Sequence, residues 1–108
     1  MAEVVVFVTV PSEKEGVFLG RTLVEQRLVA CATLIPNVRS IFRWEGKISE
    51  EQECLLILKS RTEVYDALEA AVKAHHSYDV PEIVALPILQ GSAEYLSWIR
   101  EMTKEHIR

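Results

Sequence analysis

The dipeptide Glu45-Gly46 lies between two long stretches of strand-type residues, and no other feature of the sequence constrains the fold more. One stretch covers residues 30–35 and resumes at 38–44 after Pro36, and the other covers residues 47–58. Glycine adopts the positive φ of a tight turn without steric cost, so we expect a hairpin of two long antiparallel strands. Proline has no N–H to donate to a sheet, which predicts an edge strand or a bulge at Pro36.

The segments on either side of the hairpin complete a recognisable order. Strand-type runs cover residues 4–8 and 83–89. Segments with the apolar spacing of helices begin at Ser12 and at Ser60, each with a glutamate three residues later as in a capping box, and a third helix begins at Gly91-Ser92. The order β-α-β-β-α-β plus a C-terminal helix predicts an α+β, ferredoxin-like fold with one antiparallel sheet and both main helices on one face.

The tight turn also fixes which residues lie opposite each other. If the hairpin is tight, Cys31 faces Ser60 and Cys54 faces Asn37, an offset of six residues. At the rise of a strand this is ~20 Å, which puts an intrachain disulfide out of reach.

Length and composition exclude several classes of protein. A chain of 108 residues supports one hydrophobic core, so we expect a single domain over residues 1–108. The net charge of −4, without a basic run, argues against a nucleic-acid partner. No apolar stretch approaches the ~20 residues of a membrane helix, so we expect no membrane partner. The two cysteines lack the spacing of a disulfide scaffold or zinc ribbon, which favours a reduced, cytoplasmic protein.

Two of the predicted strands are apolar on both of their faces. Residues 4–8 and 55–58 do not alternate with polar residues, as a sheet covered on one face should. Each Val or Leu left in water would forgo roughly 1.5–3 kcal/mol of burial. We therefore expect a partner subunit on the second face. The alternative is that the C-terminal helix folds under the sheet.

Five blocks of sequence, spread over nearly the whole chain, carry a family pattern: residues 28–36, 40–48, 56–60, 75–83 and 95–99. In this order they resemble the signature stretches of the CutA divalent-cation-tolerance family. The resemblance implies a homotrimer of ferredoxin-like subunits whose long hairpins pair with their neighbours. It also implies an association with copper or another divalent metal ion. Since CutA is architecturally similar to the PII signalling proteins, the alternative is a regulatory or scaffold trimer that binds a protein partner or small ligand, with metal incidental.

Enzymatic activity has little support in the sequence. No P-loop or Rossmann glycine pattern occurs, and the segment after the first strand lacks the glycines and arginine of an acylphosphatase-like loop. We expect neither an enzyme nor an organic cofactor.

The adjacent pair His75-His76 is the best candidate for a metal site, because neutral imidazole suits copper and zinc. Neighbouring helical residues point about 100° apart, so one ion takes both only if the helix ends there, as Ser77 and Pro81 indicate. The alternative is that His75 continues the apolar face of the helix and gains from its dipole. Cys31 is a further candidate ligand, although a cysteine between alanines in a strand is more often a small buried hydrophobe.

Two positions depart from the pattern that the resemblance implies. Ser77 stands where the family usually has proline. Val8 stands where some bacterial members have a cysteine that binds copper together with a histidine. The soft sulfur ligand that favours copper(I) is therefore missing from the first strand.

The family blocks contain further residues that we expect to line a cleft between subunits: Trp44, Lys59, Tyr78, Glu82 and Trp98. The alternative is interface packing for the aromatic rings and an ion pair between Lys59 and Glu82. Glu51 and Glu53 share one face of the hairpin, where we expect a solvated strand edge.

Overall fold

The computed structural model describes residues 2–103, which form one four-stranded antiparallel sheet and three α-helices. In chain order the elements are β1 (Glu3–Val10), α1 (Glu13–Glu25), β2 (Cys31–Trp44), β3 (Lys47–Arg61), a 3-10 turn (Thr62–Val64), α2 (Tyr65–His75), β4 (Ile83–Pro87) and α3 (Ala93–Met102). The strands lie in the order β2-β3-β1-β4. The predicted fold is confirmed, with β4 ending at its proline. Within the described residues, no helix has the length and apolar character to cross a membrane.

The main core lies between the sheet and the layer formed by α1 and α2. Alternate side chains of β1 and β3 point into this core: Val4, Val6, Val8, Val10, Cys54, Leu56 and Leu58. They pack against buried residues of the two helices: Leu19, Leu23, Leu68 and Val72. Gly20 allows α1 to approach closely, because a Cβ there would lie 3.1 Å from the Cβ of Ala32. The absence of a side chain at Gly20 therefore permits the short distance between α1 and β2.

The two predicted capping boxes have different outcomes. Ser12 caps α1 as expected, since its hydroxyl accepts a hydrogen bond from the Glu15 N–H at 3.2 Å. The box at Ser60 is wrong, because Ser60 still belongs to β3 and its buried hydroxyl donates to the Leu28 carbonyl at 2.7 Å. α2 instead follows the 3-10 turn, with Val64 at its N-cap and no side-chain cap. The serine satisfies a long-range partner that local spacing does not reveal.

The hairpin forms at the predicted turn and carries the predicted bulge. Trp44 pairs with Lys47, and the two turn residues have φ values of 52° at Glu45 and 80° at Gly46. The register shifts between Ile35 and Val38, so that β2 contains one residue more than β3 at this point. Such an extra residue defines a β-bulge, in agreement with the prediction from Pro36.

The bulge corrects the expected cysteine register by one residue. Cys31 lies opposite Lys59 instead of Ser60, and Cys54 pairs with Val10 of β1. Asn37 takes the bulge position with φ 63°, and its side-chain oxygen accepts from the Gln52 amide at 2.9 Å. Both cysteines are free.

The second face of the sheet is covered by α3 at one end only. Ile99 of α3 is fully buried there. Arg61 donates to the Thr103 hydroxyl at 2.8 Å, and Arg100 donates to the Glu3 carboxylate at 2.7 Å. The hydrogen bond from Arg100 lowers the pKa of the Glu3 carboxyl. The expected alternative, a helix folded under the sheet, is therefore present but incomplete.

Large apolar side chains stay exposed beyond the reach of α3. On β4, Val84 is 48% exposed and Leu86 is 46% exposed. In the distal hairpin, which we define as residues 38–52, Ile41 and Ile48 are more than half exposed, and Trp44 is 51% exposed. Single exposed residues are common, but a series along one sheet edge and one hairpin is typical of an interaction surface.

The turn residues of the hairpin give a direct stability test. Glu45→Asn should raise the free energy of unfolding by roughly 0.5 kcal/mol, because asparagine tolerates positive φ better than glutamate. Gly46→Ala should lower it by about 1 kcal/mol through the same backbone effect. No other atom lies within 4 Å of an added Cβ at Gly46, so a change in packing does not contribute to the measured loss of stability. Urea unfolding at a fixed protein concentration measures both, with Glu51→Asn as the control. Unchanged stability in Gly46→Ala would contradict the turn geometry.

Candidate functional site

The two candidate histidines separate at the end of α2. The helix ends at His75, and His76 is extended, with φ −91° and ψ 144°. This confirms the expected helix end, slightly before Ser77. His75 remains exposed in the helix layer. Its ring centre lies 5.9 Å from that of Phe18, and the two rings form a T-shaped pair. His76 turns back toward the end of β1.

Both ring nitrogens of His76 make hydrogen bonds within the chain. The Tyr78 backbone N–H donates to Nδ1 at 3.0 Å, so Nδ1 carries no proton. Nε2 lies 2.7 Å from the Thr9 carbonyl oxygen, which can only accept, so the proton is on Nε2. The ring thus joins the end of α2 to β1 in its neutral form. A metal ion could take either nitrogen only by replacing one of these bonds.

Cys31 lies on the other side of the sheet from His75. Its sulfur is 3.7 Å from the Tyr95 hydroxyl of α3, whereas His75 contacts α1 in the opposite layer. Among residues 2–103, no three His, Cys, Asp or Glu side chains come together in a group that could hold a metal ion. One chain therefore does not bring the three predicted ligands together, and His75 is the candidate whose imidazole stays accessible.

Tyr78 holds a buried carboxylate at the point where β1 ends. Its hydroxyl donates to Glu53 at 2.9 Å, and Glu53 is only 7% exposed. Burial, followed by the bond to Glu53, raises the pKa of Tyr78 to about 12. The expected solvated edge at Glu53 is therefore wrong. The position of Tyr78, 25 residues away in sequence, decides this burial, so hairpin alternation alone could not reveal it.

Ser77 has a specific contact in place of the proline of the family pattern. Its hydroxyl donates to the Glu15 carboxylate of α1 at 3.0 Å. Together with His76 and Tyr78, it attaches the segment after α2 to three different elements. A proline could not form this bond, so the substitution exchanges backbone rigidity for a side-chain contact.

Tyr95 connects Lys59 with Trp98 on the second face of the sheet. Lys59 Nζ donates to the Tyr95 hydroxyl at 3.4 Å and lies 5.5 Å from the centre of the Tyr95 ring. The Tyr95 and Trp98 rings stack at 5.5 Å. Cys31 completes the group through its contact with the same hydroxyl. Tyr95 was not among the residues expected in the cleft, although its spacing of three from Trp98 was a usable signal.

The other residues expected in a cleft lie elsewhere in the single chain. Trp44 adjoins the hairpin turn, at the opposite end of β3 from Lys59. Glu82 is exposed in the segment before β4, and within the described part of the chain no salt bridge joins it to Lys59. The predicted cleft between subunits remains a prediction about an assembly.

These observations define an α+β protein with a ferredoxin-like order, a bulged long hairpin and a third helix on the second face of its sheet. The family model described as CutA1 divalent ion tolerance protein matches residues 4–102. The chain belongs to this family. It is 50% identical over 101 residues to the divalent-cation tolerance protein CutA of Thermus thermophilus, covering 94% of this chain and 98% of that one.

Solved structures agree with this assignment. The cation tolerance protein of Thermus thermophilus superposes with a TM-score of 0.93, covering 94% of this chain and 99% of the other. CutA1 from Oryza sativa gives a TM-score of 0.94 at 42% identity, covering 98% and 97%. The chain spans a smaller share of some curated relatives, from 55% of human CutA to 58% of a chloroplastic CutA of rice.

The Tyr78–Glu53 bond should contribute substantially to stability. Tyr78→Phe should lower the free energy of unfolding by about 1–3 kcal/mol, because it leaves a buried carboxylate without its donor. Tyr95→Phe is the matched control, since it removes a hydroxyl whose contacts are exposed and should cost less than about 0.5 kcal/mol. Equal losses in the two variants, measured by urea unfolding, would show that Glu53 has another adequate partner.

The raised pKa of Tyr78 predicts the response to alkaline pH. The folded chain keeps this proton up to about pH 12, whereas the unfolded chain releases it near 10. The stability that depends on it is complete below the lower value and is lost as the pH rises toward the upper value. The parent should therefore lose stability more steeply than Tyr78→Phe over this interval. Burial also raises the pKa of Tyr65, but that residue is common to both proteins. Parallel declines would contradict the prediction.

Proposed function

We propose that this chain forms a cytoplasmic homotrimer that binds or responds to divalent metal ions, with copper as the leading candidate. The observation that supports a cation-related role best is the family match over residues 4–102. The free state of Cys31 and Cys54 agrees with a reducing compartment.

The exposed apolar side chains support assembly. β4 and the distal hairpin together expose Val84, Leu86, Ile41, Trp44 and Ile48. Since these side chains are already about half buried, each aliphatic one would gain about half of the roughly 1.5–3 kcal/mol of complete burial against a neighbouring subunit. β2 is also an edge strand with unpaired backbone groups, which a second chain can pair. A closed ring of three copies, as the family resemblance implies, would satisfy both.

The metal site that we propose is centred on His75 and completed by a neighbouring copy. His75 presents an exposed imidazole at the end of α2, next to the segment that Ser77 and Tyr78 hold in place. His76 contributes only if it gives up its bond to Thr9 or to Tyr78. Since a single imidazole does not fill the coordination sphere of copper, the remaining ligands come from water or from another subunit.

A regulatory or scaffold trimer with incidental metal binding is the second candidate. It is favoured by one observation, namely that residues 2–103 of one chain contain no three-residue metal-ligating group. A partner protein or small ligand would then be the physiological target.

Assembly is tested by sedimentation equilibrium at micromolar protein concentration. We expect the mass of three chains, and we expect Leu86→Glu on β4 to shift the protein toward smaller species, because the charge would be buried without a partner. Lys73→Glu, on the exposed face of α2, is the control. A monomer at all concentrations would exclude the proposal.

Copper binding is tested by calorimetric titration of single histidine variants. His75→Ala should weaken copper(II) binding at least tenfold, whereas His76→Ala should chiefly lower the melting temperature, because it removes two internal hydrogen bonds. His106→Ala removes the third imidazole of the chain and should leave the affinity unchanged. Parental affinity in His75→Ala would move the site elsewhere and make the scaffold function the leading candidate.

A further inference from the structure

The group formed by Lys59, Tyr95, Cys31 and Trp98, which we call the Lys59 cluster, contains a cation and no carboxylate. Lys59 is only partly exposed, yet no carboxylate forms a salt bridge with it among residues 2–103. By comparison, Lys73 on α2 has such a partner in Glu69 at 2.8 Å, whereas no salt bridge joins a carboxylate to Lys14 or Lys47 among the described residues. An added anion at this solvent-exposed ammonium gains a modest energy, of the size of a surface ion pair.

The polar atoms of the Lys59 cluster converge as donors. The ammonium has three N–H groups, and Tyr95 accepts one of them at 3.4 Å. The Tyr95 hydroxyl can then use its own proton toward a further acceptor, since the sulfur of Cys31 at 3.7 Å is a weak one. Two donors of different kinds, an ammonium and a phenol, are therefore available at one point of the surface.

The surroundings of the Lys59 cluster favour a ligand with one negative charge. Tyr95 lies in the first turn of α3, whose N-cap is Ser92, so the helix end adds a partial positive charge, which the Glu94 carboxylate of the same turn offsets in part. One full positive charge matches a carboxylate, whereas a phosphate dianion would keep a second charge without a cation. Trp98 stacks on Tyr95 and is 40% exposed, so it presents an apolar surface beside the donors.

We propose that the Lys59 cluster binds a small organic carboxylate. Its oxygens accept hydrogen bonds from Lys59 and Tyr95, and its planar or aromatic part packs against Trp98. The Lys59 cluster lies beside β2, the edge strand that a neighbouring copy would pair in the trimer proposed above, and on the face opposite to His75. The proposal is therefore independent of the metal site proposed above.

Four probes separate the contributions to binding: benzoate, acetate, benzamide and inorganic phosphate. Each is titrated in the presence of a chelator, with the Trp98 indole resonance in ¹H–¹⁵N spectra as the reporter, so that metal binding has no influence on the result. We expect saturable binding of benzoate in the millimolar range. Acetate should bind more weakly, because it lacks the ring, and benzamide should not saturate, because it lacks the charge. Phosphate binding tighter than that of benzoate would overturn the carboxylate assignment.

Three variants assign the binding to the Lys59 cluster. Lys59→Met keeps the length of the side chain and should weaken benzoate binding by about tenfold or more, as expected for a charge-assisted hydrogen bond. Tyr95→Phe keeps the ring and should weaken it by roughly three- to tenfold. Lys73→Met removes a positive charge from α2 and should leave the affinity unchanged. Melting curves establish that each variant is folded. Unchanged affinity in Lys59→Met, or the absence of saturable benzoate binding to the parent, would overturn the proposal.

Discussion

The pairing of β1 with its two neighbours is the interaction on which the rest of the structure depends. β1 lies inside the sheet, with β3 on one side and β4 on the other, and its even-numbered valines are buried beneath α1 and α2. Residues at both ends of β1 also bind other elements. The Glu3 carboxylate accepts a hydrogen bond from Arg100 of α3, and the Thr9 carbonyl accepts one from His76. A break in β1 would therefore release the core, the third helix and the segment after α2 together.

The local part of this architecture follows from the sequence. A glycine-containing turn between strand-type runs predicts the hairpin, proline predicts the bulge, and Ser12 predicts the start of α1, because each depends on a few neighbouring residues. The register beyond the bulge, the partner of Ser60 and the burial of Glu53 do not follow. They depend on residues far away in sequence, such as Leu28 and Tyr78, whose positions only the folded chain defines.

The same distinction applies to the candidate site. Family resemblance selects His75, His76 and Cys31 by type and position, but the folded chain assigns them to different environments. His76 serves as an internal connection, Cys31 belongs to the second face, and His75 alone remains open. Tyr95, which was not among the residues expected in the cleft, joins Lys59 to Trp98. Residue identity was thus predictable, whereas the use of each donor and acceptor was not.

The bulge at Asn37 has a consequence for how this family member can change in length. Before the bulge, odd-numbered residues of β2 pair with odd-numbered residues of β3. After the bulge, even-numbered residues of β2 pair with odd-numbered residues of β3. Surface positions ordinarily tolerate the gain or loss of one residue. Deletion of Asn37 would leave the pairs on both sides of it unchanged, from Ile35 with Leu55 to Val38 with Glu53, and would convert the bulge into a regular ladder. Loss of one residue between the bulge and the turn would instead shift the residues next to the bulge by one position and turn their side chains to the opposite face, because the alternation has a period of two. The bulge is therefore the position in β2 where the loss of one residue disturbs the hairpin least.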